Sequence, residues 1–335
     1  MPGERIMASY VVRRQRKFTP AWILARLEEF LYRLVIVPLV AFLPARLAYG
    51  VARLRGSWWY RLDSFKRKQI LSNLEGVFGD ELDLTERKRI ALDFFRMKSC
   101  QAIDGMRLAG NGQALARLVE IHGMEHVKDA LASGKGVVVC IAHFGSFTNC
   151  CSLLGAYGFP VTDVGNFTYN PMITLIERLL KRSIIEKRAP HHFRHPNIEP
   201  RKGQVEAAIR MSELLRANEV ITIAIDVPVA DQDRRHAIPV DFLGRTVPLL
   251  PGSVSIARQT GSPVLVVVAL RSPDWIHQVM KISPPVSLEG DIEEAFKRCV
   301  AMVEAPIRQN LAQWDGCANT QALFDFGLLS PEKSH

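Results

Sequence analysis

The clearest apolar pattern in the chain is a short run at residues 136–142, which is rich in β-branched side chains and leads into a glycine-containing turn. A run of this length, apolar throughout, is typical of a strand buried on both faces of a parallel sheet. Beyond the turn, apolar residues recur with helical spacing over residues 147–157. The stretch therefore predicts a strand, a tight loop and a helix.

The same alternation continues toward the C-terminus. The pattern predicts strands at residues 159–164, 220–226, 263–270 and 276–282, an extended piece at 237–242 and a short strand and turn at 121–127. It predicts helices at residues 85–108, 170–187, 203–217 and 291–312, and another that begins after residue 253. Strands that alternate with helices predict an α/β fold with a mostly parallel central sheet covered by helices on both faces.

The N-terminal region has a different pattern. A helix predicted from Ala21 leads into the apolar run 34–43, which stops at Pro44. A transmembrane helix needs about 20 apolar residues, so this shorter run favours an anchor in the membrane interface. A tilted crossing by residues 22–50 stays open. We predict a basic, apolar and aromatic membrane anchor at residues 1–60, followed by a single α/β domain at 61–330.

Charge adds to this picture. The net charge is +9, and residues 1–68 alone hold 14 Lys/Arg against 4 Asp/Glu. Basic residues interleaved with aromatic ones favour an anionic membrane surface. A basic N-terminus also suits nucleic acid, which would give salt-sensitive DNA binding by residues 1–68. Because the chain contains no recognisable nucleic-acid motif, we predict a membrane surface as partner and no nucleic acid.

Candidate chemistry lies at the ends of two predicted strands. His143 follows the first strand and Asp226 ends another, so both would lie at one carboxyl edge if the strands are parallel. A histidine there can accept a proton at neutral pH. Ser146 does not fit a nucleophile, because residues 144–148 lack the second glycine of a nucleophile elbow. Arg245, directly after a turn glycine, suits a phosphate or carboxylate.

Further motifs follow one another along the chain. They are Ala142-His143-Phe144-Gly145, Asp226 at its strand end, Phe242-Leu243-Gly244-Arg245, Leu250-Pro251-Gly252-Ser253, Ala257 to Val264, Ile282-Ser283-Pro284-Pro285 and Gln313-Trp314. Together with the basic, apolar N-terminus, their order and spacing resemble the bacterial lipid A late acyltransferase family, within the lysophospholipid acyltransferase superfamily. The resemblance covers residues 20–315.

The resemblance implies transfer of a fatty acyl group from acyl carrier protein or coenzyme A to a hydroxyl or amine of a lipid or glycolipid acceptor. It implies the cytoplasmic face of a bacterial inner membrane, His143 as general base, no metal and no cofactor beyond the acyl thioester co-substrate. Backbone N–H groups near Gly145 and Ser146 are expected to hold the oxyanion. Arg182 and Arg245 are expected to hold donor or acceptor phosphates.

The sequence departs from the family motif at one important position. The family has an acidic residue five positions after the histidine, whereas this chain has Thr148, followed by Asn149. Three accounts follow: Thr148 or Asn149 accepts the imidazole N–H and catalysis is slower, Asp226 reaches the ring from a neighbouring strand, or the protein is a catalytically impaired relative. In the third account it binds acyl chains or lipid and acts as an assembly or binding protein.

Overall fold

The computed structural model of the chain describes residues 39–40, 43–110, 115–165, 197–200, 203–229 and 231–318. Its strands there are β1 Val119–His122, β2 Val137–Ile141, β3 Val161–Val164, β4 Val220–Ala224, β5 Ile238–Phe242, β6 Arg245–Leu249, β7 Val264–Arg271 and β8 Gln278–Ile282. Its helices are α1 Ala45–Leu62, α2 Ser64–Phe78, α3 Leu84–Gly110, α4 Met124–Ala132, α5 Phe147–Ala156, α6 Gln204–Arg216, α7 Gly252–Thr260 and α8 Ile292–Gln309.

Six of the strands form one sheet in the order β1-β8-β7-β2-β4-β3. Neighbouring strands run parallel except β7 and β8, which are antiparallel. The predicted mostly parallel sheet is therefore confirmed. Strands β5 and β6 form a separate antiparallel hairpin. Leu243 and Gly244 in its turn have φ angles of 53° and 79°, the left-handed conformation that two-residue hairpin turns require.

Strand β2 is buried along its whole length, as its sequence predicts. Its residues alternate between two apolar clusters: Val138 and Cys140 belong to one, and Val137, Val139 and Ile141 belong to the other. Residues of α4 and α5 contribute to the second cluster, and residues of α6, α7 and α8 contribute to the first. The alternation follows from the two-residue period of a strand, and it places helices on both faces of the sheet.

Helix α1 packs closely against α3. The buried face of α1 includes Ala48, Ala52 and Gly56, which are four residues apart and so lie on one side of the helix. A Cβ atom at Gly56 would lie 2.5 Å from the Cα of Arg96 on α3. A larger residue at this position would therefore push the two helices apart.

The membrane-anchor prediction is tested only in part by these residues. Residues 1–38 lie outside the described part of the chain, as does most of the run 34–43. In the described ranges, no helix has both the length and the apolar character needed to cross a membrane. The predicted division at residues 60 and 61 falls within α1 and stays a prediction.

One predicted element has different ends in the structure. The sequence predicts a strand and turn at residues 121–127, whereas β1 ends at His122 and α4 begins at Met124. Gly123 separates them with a φ of 83°, and a Cβ atom there would lie 2.1 Å from the carbonyl oxygen of Ile282. This close approach ends the strand earlier than the apolar pattern indicates. The helix predicted at 170–187 lies outside the described residues.

Candidate active site

The parallel pairing of β2 with β4 brings His143 and Asp226 together. Ile141 lies opposite Ala224 in this pair. His143 and Asp226 each follow two residues later, so they leave the sheet at the same level of its carboxyl edge. The carboxyl ends of parallel strands are where α/β folds place ligand sites.

The Asp226 carboxylate is held by three donors. Nδ1 of the His143 ring lies 2.8 Å from Oδ1. The backbone N–H of His143 donates to both carboxylate oxygens at 3.0 and 2.9 Å, and Nε1–H of Trp314 donates to Oδ2 at 2.9 Å. The Asp226 side chain is only 2% exposed, whereas that of His143 is 38% exposed. A buried carboxylate therefore orients a ring that solvent and ligands can reach.

The carboxylate also sets the charge of the ring. Burial lowers the pKa of His143, but the negative charge of Asp226 and the hydrogen bond to it outweigh burial, so this pKa is raised to about 9. Burial raises the pKa of Asp226, yet the His143 charge and the hydrogen bonds from His143 and Trp314 hold that pKa below its usual range. At neutral pH the free protein therefore holds an imidazolium–carboxylate pair.

The loop that carries His143 is clamped by the segment just beyond α8. Gly145 donates its N–H to the carbonyl of Gln313, and Asp315 donates its N–H to the carbonyl of His143, both at 2.8 Å. Trp314 between them forms an antiparallel bridge with Phe144. The C-terminal segment therefore positions both the backbone of His143 and, through the Trp314 indole, the carboxylate behind it.

Gly145 occupies a position that requires glycine. Its φ is 58°, and a Cβ atom there would lie 1.6 Å from the carbonyl oxygen of Ala269. The N–H of Ser146 donates to that same carbonyl at 3.3 Å, and the N–H of Gly145 is bound to Gln313 as described. Both N–H groups are therefore bound within the protein in this structure, and the expected oxyanion role of the groups near Gly145 and Ser146 stays a prediction.

The Ser146 side chain belongs to a buried polar cluster beneath the loop. Its hydroxyl donates to Asp104 on α3 at 3.2 Å. Asp104 also accepts a hydrogen bond from Tyr49 of α1 at 2.7 Å and forms an ion pair with Arg271, both side chains being 1% exposed. Burial and the Asp104 charge raise the pKa of Tyr49, which therefore remains a donor. The cluster ties α1, α3 and the end of β7 to the loop after His143.

Removing the acid of this cluster is expected to destabilise the fold strongly. Asp104→Ala leaves the Arg271 guanidinium buried without its charge partner, and such a loss costs about 3–5 kcal/mol in the free energy of unfolding. Urea denaturation measures the change. Glu213→Ala is the matched control, because it breaks an ion pair with Arg210 whose side chains are 45% and 55% exposed, and it should cost at most about 1 kcal/mol. Equal losses in the two variants would contradict a stabilising role for the buried pair.

The other predicted site residues are only partly placed. Thr148 and Asn149 lie in the first turn of α5, but their side chains are outside the described structure, and so is Arg182. Arg245 lies at the start of β6, where its guanidinium donates to the carbonyls of Gly76 and Val77. These carbonyls end α2, so Arg245 caps that helix, and its expected phosphate contact stays a prediction.

Sequence reasoning missed the residues that support the site. Trp314 is 1% exposed and packs edge-on against Phe242 with ring centroids 5.5 Å apart. The side chain of Gln313 pairs with the backbone of Arg271 in both directions at 2.9 Å, and Gln101 of α3 donates to the carbonyl of Gly145. The Gln313-Trp314 motif indicated that this segment matters, but nothing in the sequence connects it with His143.

The fold and the site define a class of protein. A partly exposed imidazole backed by a buried carboxylate, at the carboxyl edge of a mostly parallel α/β sheet, can remove a proton from a hydroxyl or amine. The chain belongs to the bacterial lipid A biosynthesis acyltransferase family, whose family model matches residues 17–315. The resemblance drawn from the sequence motifs is therefore confirmed, and the family supports acyl transfer to a lipid acceptor.

Two curated proteins show the same relationship along most of their length. The chain is 22% identical over 267 residues to a lipid A biosynthesis acyltransferase from Haemophilus influenzae, covering 80% of this chain and 79% of that protein. It is 25% identical over 256 residues to the lipid A biosynthesis lauroyltransferase of Escherichia coli K12, covering 74% of this chain and 75% of the other.

Proposed function

We propose that this protein transfers a fatty acyl group from an acyl thioester, carried by acyl carrier protein or coenzyme A, to a hydroxyl or amine of a lipid or glycolipid acceptor. His143 is the general base. The observation that carries the proposal is the 2.8 Å contact between Nδ1 of His143 and Asp226. It supplies the ring with a carboxylate partner although the motif acid is replaced by Thr148.

The reaction needs the proton on one particular ring nitrogen. A carboxylate only accepts hydrogen bonds, so Nδ1 carries a proton and the neutral ring has its lone pair on Nε2. Nε2 takes the proton of the acceptor hydroxyl as its oxygen attacks the thioester carbonyl carbon. The tetrahedral intermediate then expels the thiolate, which takes the proton back from the imidazolium. Asp226 stabilises the imidazolium during this step.

The oxyanion of that intermediate needs hydrogen-bond donors, and the N–H groups of Gly145 and Ser146 are already bound to Gln313 and Ala269 in this structure. The first N–H groups of α5 lack acceptors within the helix, and Ser146, the N-cap, does not bind them with its side chain. The rings of His143 and Phe147, the first residue of α5, lie 4.9 Å apart between centroids. We therefore assign the oxyanion to this helix N-terminus, where the helix dipole also favours negative charge.

The alternative is a catalytically impaired relative that binds lipid or acyl chains. The loss of the motif acid favours this alternative. The contact of Asp226 with the His143 ring argues against it, because Asp226 supplies the missing carboxylate. Binding to the cytoplasmic face of a bacterial inner membrane is part of the proposal, because it joins a soluble thioester carrier with a lipid acceptor. Phosphate contacts by Arg182 and Arg245 are retained as part of the same proposal.

The test is a transfer assay with the purified full chain. Acyl carrier protein and coenzyme A thioesters of several acyl lengths would be mixed with lipid acceptors in detergent micelles, and products followed by mass spectrometry. We expect acylated lipid and free thiol in equal amounts, with no acylated product when the acceptor is omitted. Thiol release without acylated lipid, or no reaction with any donor, would exclude acyl transfer and favour the binding-protein alternative.

A further inference from the structure

Helix α1 carries a row of large apolar side chains on its solvent side. Leu47, Val51, Leu54, Trp58 and Leu62 are between 38% and 68% exposed. Their spacing of three or four residues places them on one face of the helix, and we call this face the apolar stripe. Contiguous exposed apolar surfaces of this kind mark sites that bind a partner or a membrane.

The opposite face of α1 has a residue distribution unlike that of an ordinary surface helix, which buries its large apolar residues. Its buried positions are the small residues Ala48, Ala52 and Gly56 and the aromatic Tyr49. The large aliphatic residues and Trp58 point outward. At about 100° per residue, the centre of the stripe lies roughly opposite Gly56. A helix that served only to cover the core of a soluble domain would have its large apolar residues on the inside.

Charge decides between the possible partners. Residues 43–68 contain seven Lys/Arg and one Asp, and Arg46, Arg61 and Lys68 among them are exposed. A second copy of the chain would bring like charges together across the contact, and like charges face to face are unfavourable. Residues 1–38 hold seven Lys/Arg against three Asp/Glu, so covering the stripe with that segment meets the same repulsion. Anionic lipid headgroups have the complementary charge.

We infer that the apolar stripe inserts into the boundary between headgroups and acyl chains of an anionic bilayer, with α1 lying in the membrane plane. This inference deepens the proposed function, because it identifies the surface that meets the membrane. Helix α3, which packs on α1, also donates from Gln101 to the carbonyl of Gly145 in the His143 loop. The catalytic loop thus lies on the buried side of α1, and α1 itself separates it from the stripe.

The test measures how far brominated lipid quenches the fluorescence of Trp58. Full-length wild type and Trp58→Phe would be mixed with phosphatidylglycerol/phosphatidylcholine vesicles whose acyl chains carry bromine, and the difference between them taken as the Trp58 signal. Insertion to a depth of about 5–10 Å should quench this signal about two-fold or more. Vesicles of phosphatidylcholine alone should need roughly ten-fold more lipid for the same quenching, because the electrostatic attraction is lost.

Two matched variants test the surface itself. Leu54→Gln/Leu62→Gln should abolish most of the Trp58 quenching, since glutamine keeps the helix but removes the apolar contact. Val205→Gln/Ile209→Gln changes two residues on α6 that are 69% and 55% exposed, and it should leave the quenching unchanged. An unquenched Trp58 in vesicle-bound wild type would overturn the inference, because another part of the chain would then hold the membrane.

The same variants separate this inference from the proposed function. In detergent micelles, Leu54→Gln/Leu62→Gln should keep the acyl-transfer rate of the wild type, because the stripe does not contact the site. If no form of the protein transfers an acyl group, the proposed function fails while the quenching result stands. If transfer is normal and Trp58 is not quenched, only the inference about the stripe fails.

Discussion

Replacing His143 by alanine is expected to lower kcat/KM for acyl transfer by about 10²–10⁴-fold, the usual contribution of a general base. The alanine removes the ring nitrogen that we propose takes the acceptor proton. It keeps the backbone N–H that donates to Asp226 at 2.9 Å and the carbonyl that accepts from Asp315. Trp314 still donates to the carboxylate, so the loop and the buried acid should retain their places.

A second histidine–aspartate pair in the chain provides the control. Nδ1 of His277 lies 2.5 Å from Oδ2 of Asp274 in the turn between β7 and β8, where the two side chains are 58% and 45% exposed. His277→Ala removes the same chemical pair from an exposed turn, away from the ends of β2 and β4 that carry His143 and Asp226. It should leave kcat/KM unchanged. Equal activity of His143→Ala and wild type with every donor would disprove the assignment of His143 as base.

The pairing of His143 with Asp226 shows how much of the site could be predicted from the sequence. The apolar pattern places His143 and Asp226 at the ends of two strands. The predicted parallel sheet then places both residues at its carboxyl edge. The sequence left three accounts of the missing acid open, because strand order and register decide which side chains are neighbours. Once β2 lies beside β4 with Ile141 opposite Ala224, the contact follows from counting two residues along each strand.

The clamp on the catalytic loop was beyond the reach of the sequence. The backbone of Gly145 is bound by Gln313 and that of His143 by Asp315. In the sequence, most of the α/β domain lies between the two members of each pair. Such contacts depend on where a non-repetitive segment returns after α8, which no periodicity indicates. For the same reason the sequence does not indicate which N–H groups near Gly145 hold the oxyanion: backbone N–H groups look alike in sequence, and only the folded structure shows which are already bound.

Helix α1 illustrates a different limit. Its basic and aromatic composition favours a lipid-facing surface as a hypothesis, but composition does not say which side of a helix faces inward. The structure shows small residues inward at Ala48, Ala52 and Gly56. This arrangement follows from the close approach of α1 to α3, where even a Cβ at Gly56 would collide with the α3 backbone. Apart from Tyr49, which is buried, the packing leaves the large residues of the apolar stripe outside.

The second large effect is expected from Asp226→Asn, which should lower the maximal rate by about 10²–10⁴-fold. The carboxylate accepts from His143 on Oδ1 and from Trp314 on Oδ2. An amide has one oxygen and one NH₂ group, so it can accept from only one of these two donors. If its oxygen faces Trp314, the NH₂ donates to Nδ1 and moves the ring proton to Nε2, where the base is lost. If its oxygen faces the ring, its NH₂ group faces the Nε1–H of Trp314, and two buried donors then point at each other.

The same substitution should shift the pH dependence in a defined direction. In the wild type the base is protonated at neutral pH, since the pKa of His143 is raised to about 9, and kcat/KM should rise with pH until it levels off above that value. The amide of the Asp226→Asn variant carries no charge, so the pKa of the ring falls and the plateau begins at lower pH, although its height is reduced. The pH profile of kcat/KM reports this ionisation in the free enzyme.

Trp314→Phe distinguishes charge from positioning in this pair. Phenylalanine removes the Nε1–H that donates to Asp226 at 2.9 Å but keeps the carboxylate charge that faces the ring. We expect the plateau to be lower by roughly five-fold, as for a lost hydrogen bond of about 1 kcal/mol, with the rise in kcat/KM still centred near pH 9. A profile of Asp226→Asn that also stays near pH 9 would show that another group sets the ionisation, and the carboxylate would then not be the partner of the base.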